Sequence, residues 1–389
     1  MKFVAGLLTG LMLPSCSGRA QDKPNGDLEI TGHSGYHLPV RLSATDTSAG
    51  WKLAGPKLLL TGQVLQADGK TPAPDVVIYY YQTNTEGRYL HKPDEPRTMP
   101  PNKIGQTHGY IRGRVKTDRN GRYWIYTVRP GTYPSRSEPA HVHATVKEPN
   151  AVKEYYIDDF VFDDDVLLTS SKRRKMENRG GSGVLRMVRK DRLLIGERNI
   201  ILGLNIPDYP KRKTTQPNSG RNIGEDVLSF TPFHAWGPDK GTTTCPVCKY
   251  GWYNGVLLFV GNNPDWQDIR LWLTFLESES RKRQKYLKVY FIYGNDTGYS
   301  KSAREKQLQQ LGMELGITKT ALTYVPAFSD IGSDIVLNKI NPAVANTLIV
   351  YRRGIITGKY INIKAGKESF ESISELLDKS DNVYFGIAD

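Results

Sequence analysis

Two histidines separated by one residue, His141 and His143, are the side chains whose spacing most directly indicates metal chemistry. They lie in the stretch HVHATV, whose composition predicts a β-strand. Side chains alternate along a strand, so both imidazoles point to the same face, roughly 7 Å apart. Both rings can therefore reach one metal ion. The same spacing also fits histidines that only pack or hydrogen-bond, so the surrounding residues must decide.

Further motifs precede the histidines in a fixed order. They are Gly87-Arg88-Tyr89, then the turn TDRNGRY at 117–123, then Arg129-Pro130-Gly131-Thr132-Tyr133-Pro134, and finally Glu138-Pro139-Ala140 directly before His141. This ordered set resembles the intradiol ring-cleavage dioxygenases of the protocatechuate 3,4-dioxygenase kind, and the resemblance spans residues 57–207.

The resemblance implies a non-haem iron(III) site. Its ligands would be Tyr89, Tyr133, His141 and His143, the positions that match the family's motifs. Two phenolates and two imidazoles favour Fe(III) over Fe(II). In the family a catechol binds as a dianion and displaces one tyrosine, here expected to be Tyr133. The aromatic diol then reacts with O2, and the ring opens between its two hydroxylated carbons to a cis,cis-muconate.

The groups expected near the substrate depart from the family pattern. The family has an arginine three residues before the first histidine, where this sequence has Glu138; we expect the nearby Arg136 to substitute for it in catalysis. The family's glutamine after the histidine pair falls near Asp159. Iron binding is therefore better supported than any particular catechol.

Three other interpretations fit parts of the same segment. Transthyretin-like and carboxypeptidase-regulatory-like sandwiches are non-catalytic binding modules that share the strand pattern, although they need neither Tyr89 nor the histidine pair. A cupin would place Glu148 after the histidines. A structural zinc ion could use the histidines together with carboxylates from 158–165.

Many short strands separated by glycine and proline turns predict an all-β sandwich over residues 56–210. KLLLTGQVL (57–65) and VVIYYYQT (76–83) are predicted to form a hairpin, as are GRVKTD (113–118) and RYWIYTV (122–128) around Arg119-Asn120-Gly121. A linker is predicted at 211–222. From 223 to 389, alternating strands and helices followed by a hairpin and a helix match an α/β thioredoxin-like domain.

The first residues predict export and a lipid anchor. Lys2 and the apolar run 3–13 form a signal peptide that is too short to span a bilayer. The run ends in Leu13-Pro14-Ser15-Cys16, which resembles the lipobox of bacterial lipoproteins, so Cys16 is expected to be lipidated after removal of the preceding residues. Residues 17–55 would be a tether, and the protein would be held at the membrane of the cell envelope.

Cys245 and Cys248 remain once Cys16 carries the lipid. Export supplies an oxidising compartment, so they are expected to form a disulfide. Because the pair precedes the first core strand of its domain instead of following it, a structural bond is favoured over a redox centre. A zinc site with His234 is the weaker alternative.

The net charge of +13 could suggest nucleic acid as a partner. The basic residues mostly lie apart, however, and the denser runs at 171–175 and 281–285 come without a binding motif. We therefore expect no nucleic-acid partner and interpret these runs as solvated faces.

Overall fold

The computed structural model describes residues 42–103, 105–149, 153–210 and 217–379. Two of its three β-sheets form a sandwich, and the third belongs to an α/β part that follows in the chain. Residue Cys16 and the first six residues of the predicted linker lie outside the described residues.

The first sandwich sheet has the order β1-β5-β2-β11-β10, and β12 also pairs with β2. Its strands are β1 Thr45–Thr47, β2 Lys57–Leu65, β5 Arg122–Val128, β10 Val188–Lys190, β11 Leu193–Glu197 and β12 Ile200–Ile201. The second sheet has the order β4-β3-β6-β8-β9, and β7 also pairs with β6. Its strands are β3 Val77–Gln82, β4 Arg112–Lys116, β6 His141–Lys147, β7 Tyr155–Tyr156, β8 Phe160–Phe162 and β9 Val184–Leu185. A short helix, α1, spans Ser170–Lys175.

Alternation along β6 fixes which face of the second sheet meets the sandwich core. Val142, Ala144 and Val146 are buried between the sheets. The intervening residues His141 and His143 therefore point away from this core, since successive side chains of a strand face opposite sides. The predicted strand pattern thus puts both imidazoles on one surface, as expected.

Both hairpins predicted in the sandwich are wrong. Strand β2 pairs with β5 in the first sheet, whereas β3 pairs with β4 and β6 in the second. The turns at 67–70 and 119–121 therefore carry the chain across from one sheet to the other. Gly121 packs against the end of β2, where the Val64 amide donates to its carbonyl oxygen at 2.7 Å. Strands β2 and β3 lie in opposite sheets, as do β4 and β5. Each of these strands can therefore bury one face against the other sheet.

The sandwich also begins earlier than residue 56. Strand β1 pairs in parallel with β5, so part of the predicted tether is an edge strand. Asp46 in this strand forms a two-pronged ion pair with Arg97, with both nitrogen–oxygen distances 2.8 Å, and accepts a hydrogen bond from Tyr80. These contacts tie the edge strand to the second sheet.

The α/β part is built on a sheet with the order β13-β16-β15-β14-β17-β18. Its strands are β13 Phe233–Trp236, β14 Asn254–Val260, β15 Leu287–Tyr293, β16 Ala321–Tyr324, β17 Thr347–Arg352 and β18 Ile355–Ile361. Its helices are α2 Pro246–Tyr250, α3 Trp266–Arg283, α4 Lys301–Glu314 and α5 Lys367–Lys379. Strands β14, β15 and β16 run parallel, whereas β17 and β18 form the predicted antiparallel hairpin.

Apolar side chains cover both faces of this sheet. Trp272 and Leu276 of α3, Leu308 of α4 and Ile373 of α5 pack on one face. The loops around Phe230 cover the other face. Strands buried on both faces explain why GVLLFVG and LKVYFIYG are almost continuously apolar. Assignment of this part to the thioredoxin-like class stays a prediction. Among the described residues, no helix combines the length and apolar character needed to cross a membrane.

The segment after the linker joins the two parts by backbone hydrogen bonds. The Ser182 amide of the sandwich donates to Gly224 O at 2.7 Å, and the Gly224 amide donates to Ile356 O of β18 at 2.8 Å. Arg352 of β17 also forms a 2.9 Å ion pair with Glu197 of β11. The described end of the predicted linker is itself packed, since Ser219 is buried against Thr347.

Cys245 and Cys248 are joined by a disulfide at the start of α2. Cys248 is exposed, whereas Val247 and Tyr250 pack against the core on this side of the sheet. The bond thus closes a small loop next to buried side chains.

Replacing both cysteines with serine should lower the free energy of unfolding by up to about 2 kcal/mol, because a four-residue loop loses its covalent constraint. Urea denaturation followed by circular dichroism would measure the change. The metal content of the sandwich should stay the same. Rapid equilibration of the wild-type pair with a thiol buffer, together with unchanged stability of the double variant, would instead identify an exchange-active pair.

Candidate metal centre

Four potential ligand atoms meet above the second sheet of the sandwich. The phenol oxygen of Tyr133 lies 3.1 Å from that of Tyr89, 3.1 Å from His141 Nε2 and 3.3 Å from His143 Nε2. The two Nε2 atoms are 3.1 Å apart. The structure therefore brings together all four residues that the family resemblance assigns to iron.

These separations suit one first-row metal ion. Bonds of about 2.1 Å place neighbouring ligand atoms about 3.0–3.4 Å apart in octahedral or tetrahedral arrangements. Two phenol oxygens and two imidazole nitrogens are also a donor set that binds such ions. The residues thus fit a metal in both geometry and chemistry.

The other nitrogen of each imidazole has a partner that orients the ring. His141 Nδ1 lies 2.7 Å from Pro139 O, to which it donates, and His143 Nδ1 lies 2.9 Å from Asp159 Oδ1. Both Nε2 atoms consequently face the phenol groups with their lone pairs. Fixing the tautomer in this way is the usual role of groups behind metal-binding histidines.

The two tyrosines are carried by loops that touch through their backbones. Asn84, two residues after β3 ends, accepts from the Arg88 amide through Oδ1 at 2.9 Å and from the Gly131 amide through its carbonyl oxygen at 2.9 Å. Gly87 has φ +77°, and a Cβ there would lie 1.7 Å from Thr132 O. A glycine at this position is therefore what lets the Tyr89 loop approach the Tyr133 loop.

Burial keeps Tyr89, Tyr133 and His141 neutral in the absence of metal. It raises the pKa of the Tyr89 phenol well above 10, and the neighbouring Tyr133 adds to the shift. Burial likewise raises the pKa of Tyr133. It lowers the pKa of His141, and the adjacent His143 contributes. The phenols must accordingly release protons when a metal binds, whereas His141 is already in its ligand form at neutral pH.

Asp159 is a member of the site whose contact the sequence did not reveal. His141, His143 and Asp159 are the group of histidine, cysteine and acidic residues that could hold a metal among the described part of the chain. The carboxylate contacts His143 on the nitrogen that faces away from the phenols. We therefore interpret Asp159 as the partner that orients His143. The adjacent Asp158 accepts backbone hydrogen bonds from Asn178 and Arg179 instead.

Aromatic rings also support the histidines. Tyr81, on β3 beside β6, stacks on His143 with ring centroids 4.5 Å apart and on His108 at 3.6 Å. His108 Nδ1 lies 2.7 Å from the Tyr79 hydroxyl. The signal for this layer was present as Tyr79 and Tyr81, which share one face of the strand in VVIYYYQT, but the pairing of β3 with β6 was needed to interpret it.

The residues expected beside the substrate lie on the exposed loop between Tyr133 and His141. Arg136 is exposed, and its amide donates to Tyr133 O at 2.8 Å. Glu138 lies 3.7 Å from Lys172 Nζ of α1. Lys172 also donates to Ser137 O, so this lysine of the basic run at 171–175 is a cation at the loop.

The alternative zinc site in the α/β part is not supported. Both ring nitrogens of His234 face backbone carbonyl oxygens, at 3.1 Å to Pro238 and 2.9 Å to Thr244. Cys245 and Cys248 are bonded to each other. His234 therefore stabilises the loop that follows β13 through contacts with the loop backbone.

Comparison with known proteins relates the sandwich to dioxygenases. Residues 41–174 match the family model described as Dioxygenase. A 95-residue segment is 36% identical to the protocatechuate 3,4-dioxygenase beta chain of Burkholderia cepacia, covering 23% of this chain and 37% of that one. The chain thus spans little more than a third of that relative's length. The family-model match falls on the part of the chain that forms the sandwich.

Solved structures with similarity include other dioxygenases. One is the dioxygenase domain of a dioxygenase and carbohydrate-binding fusion from Streptomyces sp. SirexAA-E, at 19% identity, 42% of this chain, 88% of that chain and a TM-score of 0.31. Another is hydroxyquinol 1,2-dioxygenase from Pseudomonas putida DLL-E4, at 19% identity, 44% and 65% coverage and a TM-score of 0.31.

Gly87→Ala should disrupt the centre, because its Cβ would push the Thr132 carbonyl and separate the two tyrosine loops. We expect a loss of roughly 2–3 kcal/mol of unfolding free energy and at least tenfold weaker metal binding, measured by urea denaturation and by metal titration. Gly241→Ala is the matched control, since Gly241 has φ +79° and open space around its Cβ position. Equal metal affinity in the two variants would contradict the proposed role of the close approach.

Proposed function

We propose that this chain is an Fe(III)-dependent intradiol dioxygenase that cleaves the ring of a catechol-type substrate with O2. The observation that carries the proposal is the meeting of Tyr89, Tyr133, His141 and His143 at distances that suit one metal ion. The relation of residues 41–174 to the dioxygenase family supports the same reaction class.

Bound Fe(III) would supply the charge that holds an aromatic diol as a dianion and activates it toward O2. The protein would contribute the fixed geometry of its donors. Pro139 O and Asp159 hold the two imidazoles so that their Nε2 atoms face the phenols. Preorganised donors need no rearrangement when the substrate arrives.

Tyr133 is the residue that we expect to give way to the substrate. Its phenol oxygen lies within 3.3 Å of the other three donors, so its departure opens a position beside all of them. Because burial raises its pKa, a displaced Tyr133 is protonated at neutral pH. It can therefore take up one of the two protons that the diol loses.

The direct test is the metal content and visible spectrum of protein expressed with iron. We expect about one Fe per chain and a burgundy charge-transfer band from tyrosinate to Fe(III), as in the related family. Tyr89→Phe and Tyr133→Phe should each shift and weaken the band, since each removes a phenolate. A colourless protein that takes up no iron after loading would exclude this function and favour a non-catalytic binding module.

Two further variants separate ligands from supports. In Tyr81→Phe the band should be unchanged, because the Tyr81 ring stacks on His143 but its hydroxyl has no hydrogen-bond partner among the described residues. Asp159→Asn keeps all four ligand atoms and should weaken iron binding about 10- to 100-fold. An unchanged iron affinity would show that Asp159 does not position His143.

Simple catechol and protocatechuate should be turned over slowly. Glu138 stands where the family has a cation, and its negative charge near the bound dianion is unfavourable. Glu138→Arg should increase kcat/KM for these diols at least tenfold, measured by oxygen uptake. Efficient cleavage of protocatechuate by the wild-type protein would show that this loop does not disfavour the substrate.

Export and anchoring through Cys16 are part of the proposal on sequence grounds. A diacyl group supplies enough apolar surface for stable membrane attachment. Cys16→Ser should therefore move the protein from the membrane to the soluble fraction in cell fractionation. Persistent membrane association of this variant would argue against the lipobox.

A further inference from the structure

A cavity of about 230 Å³ lies between the sandwich and the α/β part. Gln63 and Trp124 of the first sandwich sheet form one wall, and Thr357 and Leu376 form the other. A second cavity of about 50 Å³ shares part of this lining, including Asn199. We call the two together the interface groove. It lies on the first sheet, whereas the histidine-bearing strand belongs to the second.

Positive charge dominates the lining of the interface groove. The cationic side chains are Arg122, Arg186, Arg352, Arg353 and Lys379. Among the described lining residues, Glu197 is the one acidic side chain, and it pairs with Arg352 at 2.9 Å. Asp163, outside the lining, lies 3.5 Å from Arg186. The described lining thus holds five cationic side chains and one acidic side chain, and Asp163 adds a second carboxylate outside it.

Some of this positive charge is on side chains that are partly buried. Burial lowers the pKa of the Arg353 guanidinium to about 10, and the adjacent Arg352 contributes to the shift. An anion bound in the interface groove would be attracted by these neighbouring positive charges, because opposite charges in contact stabilise each other.

The groove also offers apolar and hydrogen-bonding surface. Trp124 and Leu376 bring partly buried apolar area from the two sides. Asn199 is oriented by the backbone amide of Gln63, which donates to Asn199 Oδ1 at 3.1 Å. At about 230 Å³ the larger cavity is smaller than most pockets for drug-sized ligands, so its ligand must be small. A flat organic acid matches this combination better than a bare inorganic anion does.

We propose that the interface groove binds a small unsaturated or aromatic carboxylate, held by Arg122 and Lys379 from the two sides. Arg122 comes from β5 and Lys379 from the end of α5, so one ligand would link the sandwich to the α/β part. The site does not depend on iron. An unsaturated dicarboxylate of this size is also the kind of product that the proposed ring cleavage would form, which makes it one source of the ligand.

The test is isothermal titration of the full chain, with and without iron, using cis,cis-muconate, benzoate and inorganic phosphate as probes. We expect muconate or benzoate to bind with a similar affinity in both iron states and to bind at least tenfold tighter than phosphate. A preference for muconate would identify the ring-opened dicarboxylate, and a preference for benzoate an aromatic acid. If neither acid binds, or phosphate binds as tightly, the proposal is wrong.

Variants place the binding in the groove. Arg122→Gln and Lys379→Ala should each weaken acid binding about tenfold, since each removes a charge-assisted contact. Arg189→Gln and Lys306→Ala are matched controls, because both side chains are exposed and lie outside the groove lining. Thermal melting checks that all four variants fold. Binding that is weakened equally by the controls would assign the effect to overall charge. Failure to find iron would leave these results unaffected, so the two proposals can fail separately.

Discussion

The close backbone approach between the loops of Tyr89 and Tyr133 is the constraint on which the candidate centre depends. Neither loop has regular secondary structure, so each needs a partner to fix it. Asn84 provides this by bonding to Arg88 through its side chain and to Gly131 through its carbonyl. The absence of a Cβ at Gly87 removes the obstacle between them. Two segments without regular secondary structure thereby hold their phenols 3.1 Å apart.

The two histidines are held in place by a β-strand instead of by loops. They belong to β6, whose opposite face is buried in the sandwich core through Val142 and Ala144. A slip of the strand by one residue would bury both imidazoles and expose apolar side chains, so core packing fixes their register. The histidines of β6 and the tyrosines of the two loops thus meet at one site. Tyr81 of β3 supports this site by stacking on His143.

The two parts of the chain are joined more closely than a linker alone would require. Gly224 bonds to both Ser182 and Ile356, and Arg352 pairs with Glu197 across the boundary. Contacts between parts of one chain are commonly polar in this way. The positively charged interface groove is a consequence of that arrangement, since its walls come from both.

The sequence alone determined the features that depend on local pattern. The spacing of His141 and His143 placed them on one face, and the apolar runs of the α/β part predicted its buried strands. The tyrosines proposed as ligands came from the family resemblance, because no spacing relates Tyr89 to Tyr133. The tertiary structure decided which strands pair and which distant residues are neighbours in space. Asn-Gly and Asp-Gly turns occur both in hairpins and in connections between sheets. The pairing of β2 with β5 instead of β3 was therefore decided only by how the strands pack around the core. The contact of Asp159 with His143 and the charges of the interface groove join residues far apart in the chain, and only folding brings such residues together.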